Sequence, residues 1–149
     1  MTQEEKQILL KDLCARLPYG VICNDSRHGD SRIIVIDVAD KTVYCYDFDE
    51  YVELDKIKPY LRPMSSMTEE EKQECCSIFN GSMYQFEVNE YGDVESTKPT
   101  VERECIYYDA ELMVEWMNWL NAHHFDYRGL IEKGLAIEAP DGMYDLKEK

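Results

Sequence analysis

An α+β fold, a small antiparallel or mixed sheet packed by N-terminal and C-terminal helices, is predicted by three observations. Two capping boxes, Thr2-x-x-Glu5 and Thr68-x-x-Glu71, each open a stretch with apolar residues at helical spacing. Short β-branched and aromatic runs punctuated by polar turns occupy residues 20–62. Near the end, Leu112, Met113, Trp116, Met117, Trp119 and Leu120 form an apolar stripe at helical intervals.

In chain order, the first helix is expected over 2–16, with Leu10, Leu13, Cys14 and Leu17 facing inward, and Pro18-Tyr19-Gly20 stopping it. Extended stretches follow at Val21–Cys23, Arg32–Val38 and Thr42–Phe48, the last two joined by a hairpin loop at Ala39-Asp40-Lys41. Arg27-His28-Gly29-Asp30 has no apolar anchor and is expected to project as a loop tip. Ile33-Ile34-Val35-Ile36 is apolar without alternation, which suggests a strand covered on both faces. Pro59 and Pro63 confine Ile57–Pro63 to an edge or a covered connection, because proline cannot donate to a ladder.

A second helix is expected over 68–79 and strands over 83–107, with a turn at Asn89–Asp93 and Pro99 as an interruption. Asp109 is the N-cap of a helix over 109–124, whose stripe is broad enough to be nearly fully buried. His123 and His124 sit in its last turn, where a cation complements the helix dipole. A short helix over 127–133, capped by Asp126 and closed by Gly134, precedes a mobile tail over 141–149.

A chain of 149 residues is the size of one domain, able to bury about two thirds of its unfolded surface, so a single core is expected. Its 31 acidic and 16 basic residues leave a net charge of −15, concentrated in the middle of the chain. Such a field repels phosphate backbones and anionic membrane surfaces, so neither direct nucleic-acid binding nor membrane association is expected. The opening Met-Thr-Gln-Glu-Glu-Lys lacks the features of a secretory signal, and no apolar run reaches the roughly 18 residues of a membrane span. A cytoplasmic setting is therefore expected, with Cys14, Cys23, Cys45, Cys75, Cys76 and Cys105 as free thiols.

Three segments, Leu13–Gly20, Ile57–Thr68 and Trp119–Pro140, resemble parts of small uncharacterised proteins found in gut Bacteroidales and in their phages and mobile elements. The resemblance covers the two ends better than the acidic middle. It implies a genomic setting and no activity.

No assembled catalytic motif, metal site or cofactor site is expected. Adjacent Cys75-Cys76 and adjacent His123-His124 are poor zinc pairs, since neighbours on a helix point about 100° apart. Asp47, Asp49, Glu50, Glu53 and Asp55 crowd the exit of a strand, but without the glycine-centred turn of a calcium loop. They are an acidic surface available to a basic partner. His123, His124 and Arg128, at the bend between two helices, form the corner where a phosphate or carboxylate meets a guanidinium and backbone donors together.

The leading expectation is a non-enzymatic acidic interaction protein of a phage or mobile element. Its partner is a basic host protein, and inhibition of a nucleic-acid-binding host protein fits the charge. The second is a binder or sponge of a small anionic, nucleotide-like ligand at His123, His124 and Arg128. The third is a small enzyme whose site carries no motif. The oligomeric state is not legible.

Overall fold

The computed structural model describes residues 1–78, 86–88, 90–92, 94–96 and 106–144. Helix α1 spans Gln3–Arg16 and opens on its capping box: the Glu5 amide donates to Thr2 Oγ1 at 3.1 Å, and the Thr2 amide to Glu5 Oε2 at 2.8 Å. Leu9, Leu10 and Leu13 enter the core, and Asp12 and Arg16 are buried on the same side. Cys14 falls about 100° further round and lies on the surface, contrary to expectation. Gly20 (φ +76°) takes the left-handed position that ends the following 3₁₀ turn, Leu17–Tyr19.

The first strands are β1 (Ile22–Asp25), β2 (Gly29–Asp37) and β3 (Thr42–Cys45). They continue with β4 (Val52–Glu53) and β5 (Ile57–Leu61), and near the end of the chain comes β8 (Ile137–Glu138). Two further strands, β6 and β7, lie in the second unit described below. The six form one mixed sheet in the order β4-β3-β2-β1-β5-β8, antiparallel throughout except that β8 runs parallel to β5. The protein is α+β. Inward residues of the sheet, among them Cys23, Ile33, Val43, Cys45, Ile57 and Leu61, share one core with Leu9, Leu10 and Leu13 of α1.

The register of β2 shifts between Ile33 and Val35, so Ile34 is an extra residue relative to β3. The bulge explains the missing alternation. Ile33 points inward, Ile34 and Val35 are 40% and 39% exposed, and Ile36 pairs with inward Val43. The strand is therefore open on its outer face rather than covered on both.

Pro59 lies in an internal strand, which the sequence reading did not anticipate. β8 pairs only with Tyr60 and Leu61, so at Pro59 itself β5 has β1 alone as neighbour and the missing N–H leaves no ladder bond broken. Beyond β5, the Arg62 amide donates to the His124 carbonyl and the Asp126 amide to the Arg62 carbonyl, both at 2.8 Å.

The chain falls into two compact units: residues 1–62 with 121–149, and residues 63–120. The second unit contains helix α2 (Glu69–Ser77), which opens on the Thr68–Glu71 capping box. Strands β6 (Phe86–Val88) and β7 (Val94–Ser96) form an antiparallel hairpin. At Gly92 (φ +85°) any Cβ would collide with the Met64 carbonyl, so glycine is required there.

Helix α3 spans Ile106–Ala122, and most of it belongs to the second unit. It begins three residues before the expected cap Asp109, and strand structure does not reach 107. The stripe is less buried than its pattern suggested: Leu120 is buried, Trp116 and Trp119 are half-buried, and Met113 is exposed. Trp119 Nε1 donates to Glu74 at 3.4 Å. Residues 79–85 and 97–105, including Cys105 and Pro99, lie outside the described residues.

The expected helix at 127–133 is a succession of turns. Gly129 adopts φ +72°, which interrupts any right-handed helix after two residues. Its expected caps nevertheless form. The Asp126 carboxylate accepts from the amides of Leu130 and Ile131 at 2.8 and 2.9 Å. Gly134 donates to Ile131 and Leu135 to Leu130, the Schellman pattern.

Candidate functional site

The first unit carries His123, His124, Arg128 and the acidic residues Asp47, Asp49, Glu50, Glu53 and Asp55. His123 and His124 do not occupy the last turn of α3. They follow it, and His124 takes the left-handed conformation (φ +61°) with its amide donating to the Asn121 carbonyl. This turns the His124 ring into the interior, where it is fully buried and stacks on Tyr144 with 3.7 Å between centroids. The His123 ring stacks on Phe125, and the Arg62 guanidinium lies 4.3 Å from the Phe125 ring centroid.

Arg128 is engaged by Asp12 of α1. Its Nε lies 3.3 Å from Asp12 Oδ1, and its side chain is 32% exposed. The same carboxylate receives Arg16 through two bonds, Nε to Oδ2 at 2.8 Å and Nη2 to Oδ1 at 3.1 Å. Arg16 Nη2 also donates to the Phe125 carbonyl at 2.6 Å. Tyr127 has both guanidiniums 5.2 Å from its ring centroid. Two buried or half-buried cations thus share the one buried carboxylate of Asp12.

Tyr144 also departs from the sequence reading, in which 141–149 is a mobile tail. Its hydroxyl accepts from the Ile22 amide and donates to the Tyr60 carbonyl, both at 2.8 Å. Burial pushes that hydroxyl well above the usual phenol range, so it remains a neutral donor. Residues 145–149 lie outside the described residues.

Asp47, Asp49, Glu50, Glu53 and Asp55 are all exposed, interleaved with buried Phe48, Val52 and Leu54. Two of them are held by neighbours. Ser31 Oγ donates to Asp47 Oδ2 at 3.1 Å, and Glu50 Oε1 lies 3.6 Å from both Arg27 Nη2 and His28 Nε2.

His28 is not on a projecting tip. Its Nδ1 is 2.9 Å from buried Asp25, and its ring packs on Phe48 with 4.8 Å between centroids. Burial raises the Asp25 carboxyl, but the Arg27 amide and the His28 ring outweigh it and hold the group below its ordinary value. The arrangement clasps the β1–β2 turn. A signal existed in Asp25-x-Arg27, the spacing of an aspartate that caps its own turn.

The outer face of the sheet is open. Ile22 pairs with Arg32, and the Arg32 carbonyl accepts from the Tyr46 amide at 3.0 Å. On the other side Ile22 meets Tyr60 through the Tyr144 hydroxyl. Tyr60, Ile22, Arg32 and Tyr46 therefore form one row across β5, β1, β2 and the end of β3. Beside it lie Ile34 and Val35, with Tyr46 at 70% and Tyr51 at 53% exposed and the Tyr44 ring 5.3 Å from that of Tyr51. Tyr60 and Asn24 both donate to Asp30 Oδ1, at 2.9 and 2.8 Å.

Compared with protein families, curated proteins and solved structures, the chain finds no match. Among the described residues no three His, Cys, Asp or Glu side chains converge as a metal site requires, and no helix is long and apolar enough to cross a membrane.

Proposed function

We propose that this protein is a non-enzymatic binding protein whose open sheet face docks a basic protein. The observation that carries the reading is the row Tyr60, Ile22, Arg32 and Tyr46 with exposed Ile34, Val35 and Tyr51 beside it. Tyrosine and arginine are the side chains that dominate interface energetics, and a contiguous apolar patch with a polar border is how docking surfaces differ from ordinary surface. Asp47, Asp49 and Glu50 leave the sheet where this face ends, and with the net charge of −15 they favour a partner rich in lysine and arginine. The resemblance to proteins of Bacteroidales phages and mobile elements supports a host protein as that partner. A nucleic-acid-binding one would already carry the required positive surface.

The test is co-purification of the tagged chain from a Bacteroidales host, with wild type beside Tyr46→Ala/Tyr51→Ala. A partner captured by wild type, lost from the double variant and released by raised salt is the expected result. Capture unaffected by either change would sink the reading.

A second reading, capture of a small nucleotide-like anion, is favoured by the two guanidiniums that share Asp12. Arg128, half-buried, is its accessible contact; His124 stacks on Tyr144 inside the fold and supports the corner rather than lining it. Thermal stabilisation by a nucleotide panel, abolished in Arg128→Ala, is its test.

A further inference from the structure

Two shallow depressions adjoin at the Gly20 end of the open face. One, of about 250 Å³, is lined by Arg32, Tyr46, Asp47, Met143 and Tyr144. The other, of about 230 Å³, is lined by Leu17, Pro18, Ile33 and Ile34 together with Arg32. Gly20 lines both and contributes no side chain to their junction. Each is smaller than the roughly 300 Å³ at which pockets for drug-sized ligands begin, which suits a small metabolite.

Their charges are distributed unusually for so acidic a chain. Among the described residues the Arg32 side chain has neither a hydrogen-bond nor an ion partner, although it shares the first depression with Asp47. Ser31 Oγ donates to Asp47 Oδ2, which leaves Oδ1 unengaged. Arg32 and Asp47 thus line one depression without an ion pair between them. A ligand that completes both must present an anion and a cation a few atoms apart. The second depression, reached past Arg32, is bordered by the aliphatic residues Leu17, Pro18 and Ile34.

We propose that the paired depressions bind a free α-amino acid with an aliphatic side chain: its carboxylate on Arg32, its ammonium on Asp47, its side chain against Leu17, Pro18 and Ile34. Tyr46 and Tyr144 border the charged half. This site goes beyond the docking reading and does not depend on it, since it needs no protein partner.

The experiment is a ¹H–¹⁵N NMR titration of the whole chain with L-leucine, glycine, leucine amide and N-acetyl-leucine. Leucine should shift the amides of Gly20, Arg32, Tyr46 and Asp47 saturably. Removing one ligand charge at so exposed a site should weaken binding about threefold to tenfold, and glycine should bind about tenfold more weakly for want of apolar contact. Arg32→Gln should lower leucine to the level of leucine amide, and Asp47→Asn to that of N-acetyl-leucine, with the spectra reporting that both variants remain folded. Absence of a saturable shift at these amides overturns the proposal. Equal binding of leucine and either single-charge analogue also overturns it.

Discussion

The ring of Tyr144 lies 3.7 Å from that of His124, and its hydroxyl bridges the backbones of Ile22 and Tyr60. One side chain from the C-terminal segment thereby closes the ladder between β1 and β5 just past Cys23–Pro59, the last pair of their register. Tyr144→Phe keeps the stack and leaves a backbone N–H and a carbonyl without this partner. The expected loss is about 1–3 kcal/mol. Tyr144→Ala should lose more, because the stack and the packing go with the hydroxyl. Urea unfolding monitored by circular dichroism measures both.

His124 reverses a familiar ranking. At φ +61° an L side chain is strained, whereas glycine is not. His124→Ala and His124→Gly both lose the stack on Tyr144, but only alanine retains the strain. The glycine variant should be the more stable of the two by about 1 kcal/mol. Denaturation midpoints in which alanine exceeds glycine would contradict the role assigned to this turn.

Asp12 should be the most sensitive charged residue of the first unit. Its removal leaves Arg16 buried without its bidentate partner and releases Arg128. Asp12→Ala is expected to cost about 3–5 kcal/mol, as when one partner of a buried pair is deleted. Replacing both, Asp12→Leu with Arg16→Met, should recover much of that loss, since the uncompensated buried charge disappears. Thermal denaturation of the single and double variants checks the order.

Asp25 sets an acid limb. Its carboxyl titrates below its ordinary value in the folded state, so the unfolded chain binds the proton more readily. Its contribution is complete above the unfolded value of about 3.9 and is lost as pH falls through the folded one. Asp25→Asn should therefore be less stable at pH 7 and lose less on acidification from pH 5 to pH 2. Unfolding free energies across that range, with parallel curves for wild type and variant, would contradict the assignment.

Features decided within a few residues were legible in the sequence. Both capping boxes form, Gly134 closes its turn in a Schellman pattern, and Ala39–Lys41 joins β2 to β3. What misled was local patterning with two structural explanations. The unbroken apolar run at Ile33–Ile36 reflects a bulge as readily as cover on both faces, and Gly129 interrupts a stretch whose other residues favour a helix. The candidate site was largely illegible for another reason. The row from Tyr60 to Tyr46 depends on the registers of four strands, and the Tyr144 contact joins residues 122 positions apart. Of the expected corner His123, His124 and Arg128, the fold buries His124 on Tyr144 and sets Arg128 against Asp12. The conformation of His124 and the partner of Arg128 are tertiary facts that no spacing rule encodes.

The pairing of β8 with β5 orders events during synthesis. When Leu61 leaves the ribosome its outer edge has no neighbour, and the strand that will cover it lies beyond the whole of residues 63–120. At about 5–20 residues per second, translation of that stretch takes roughly 3–12 s, during which the β5 edge can pair with another nascent chain. Lys58 and Pro59 sit on that edge, a charge and a missing donor of the kind that discourages such pairing. The proline that looked misplaced inside a sheet guards a stretch of edge that β8 does not reach, so it serves during that interval and after the sheet is complete.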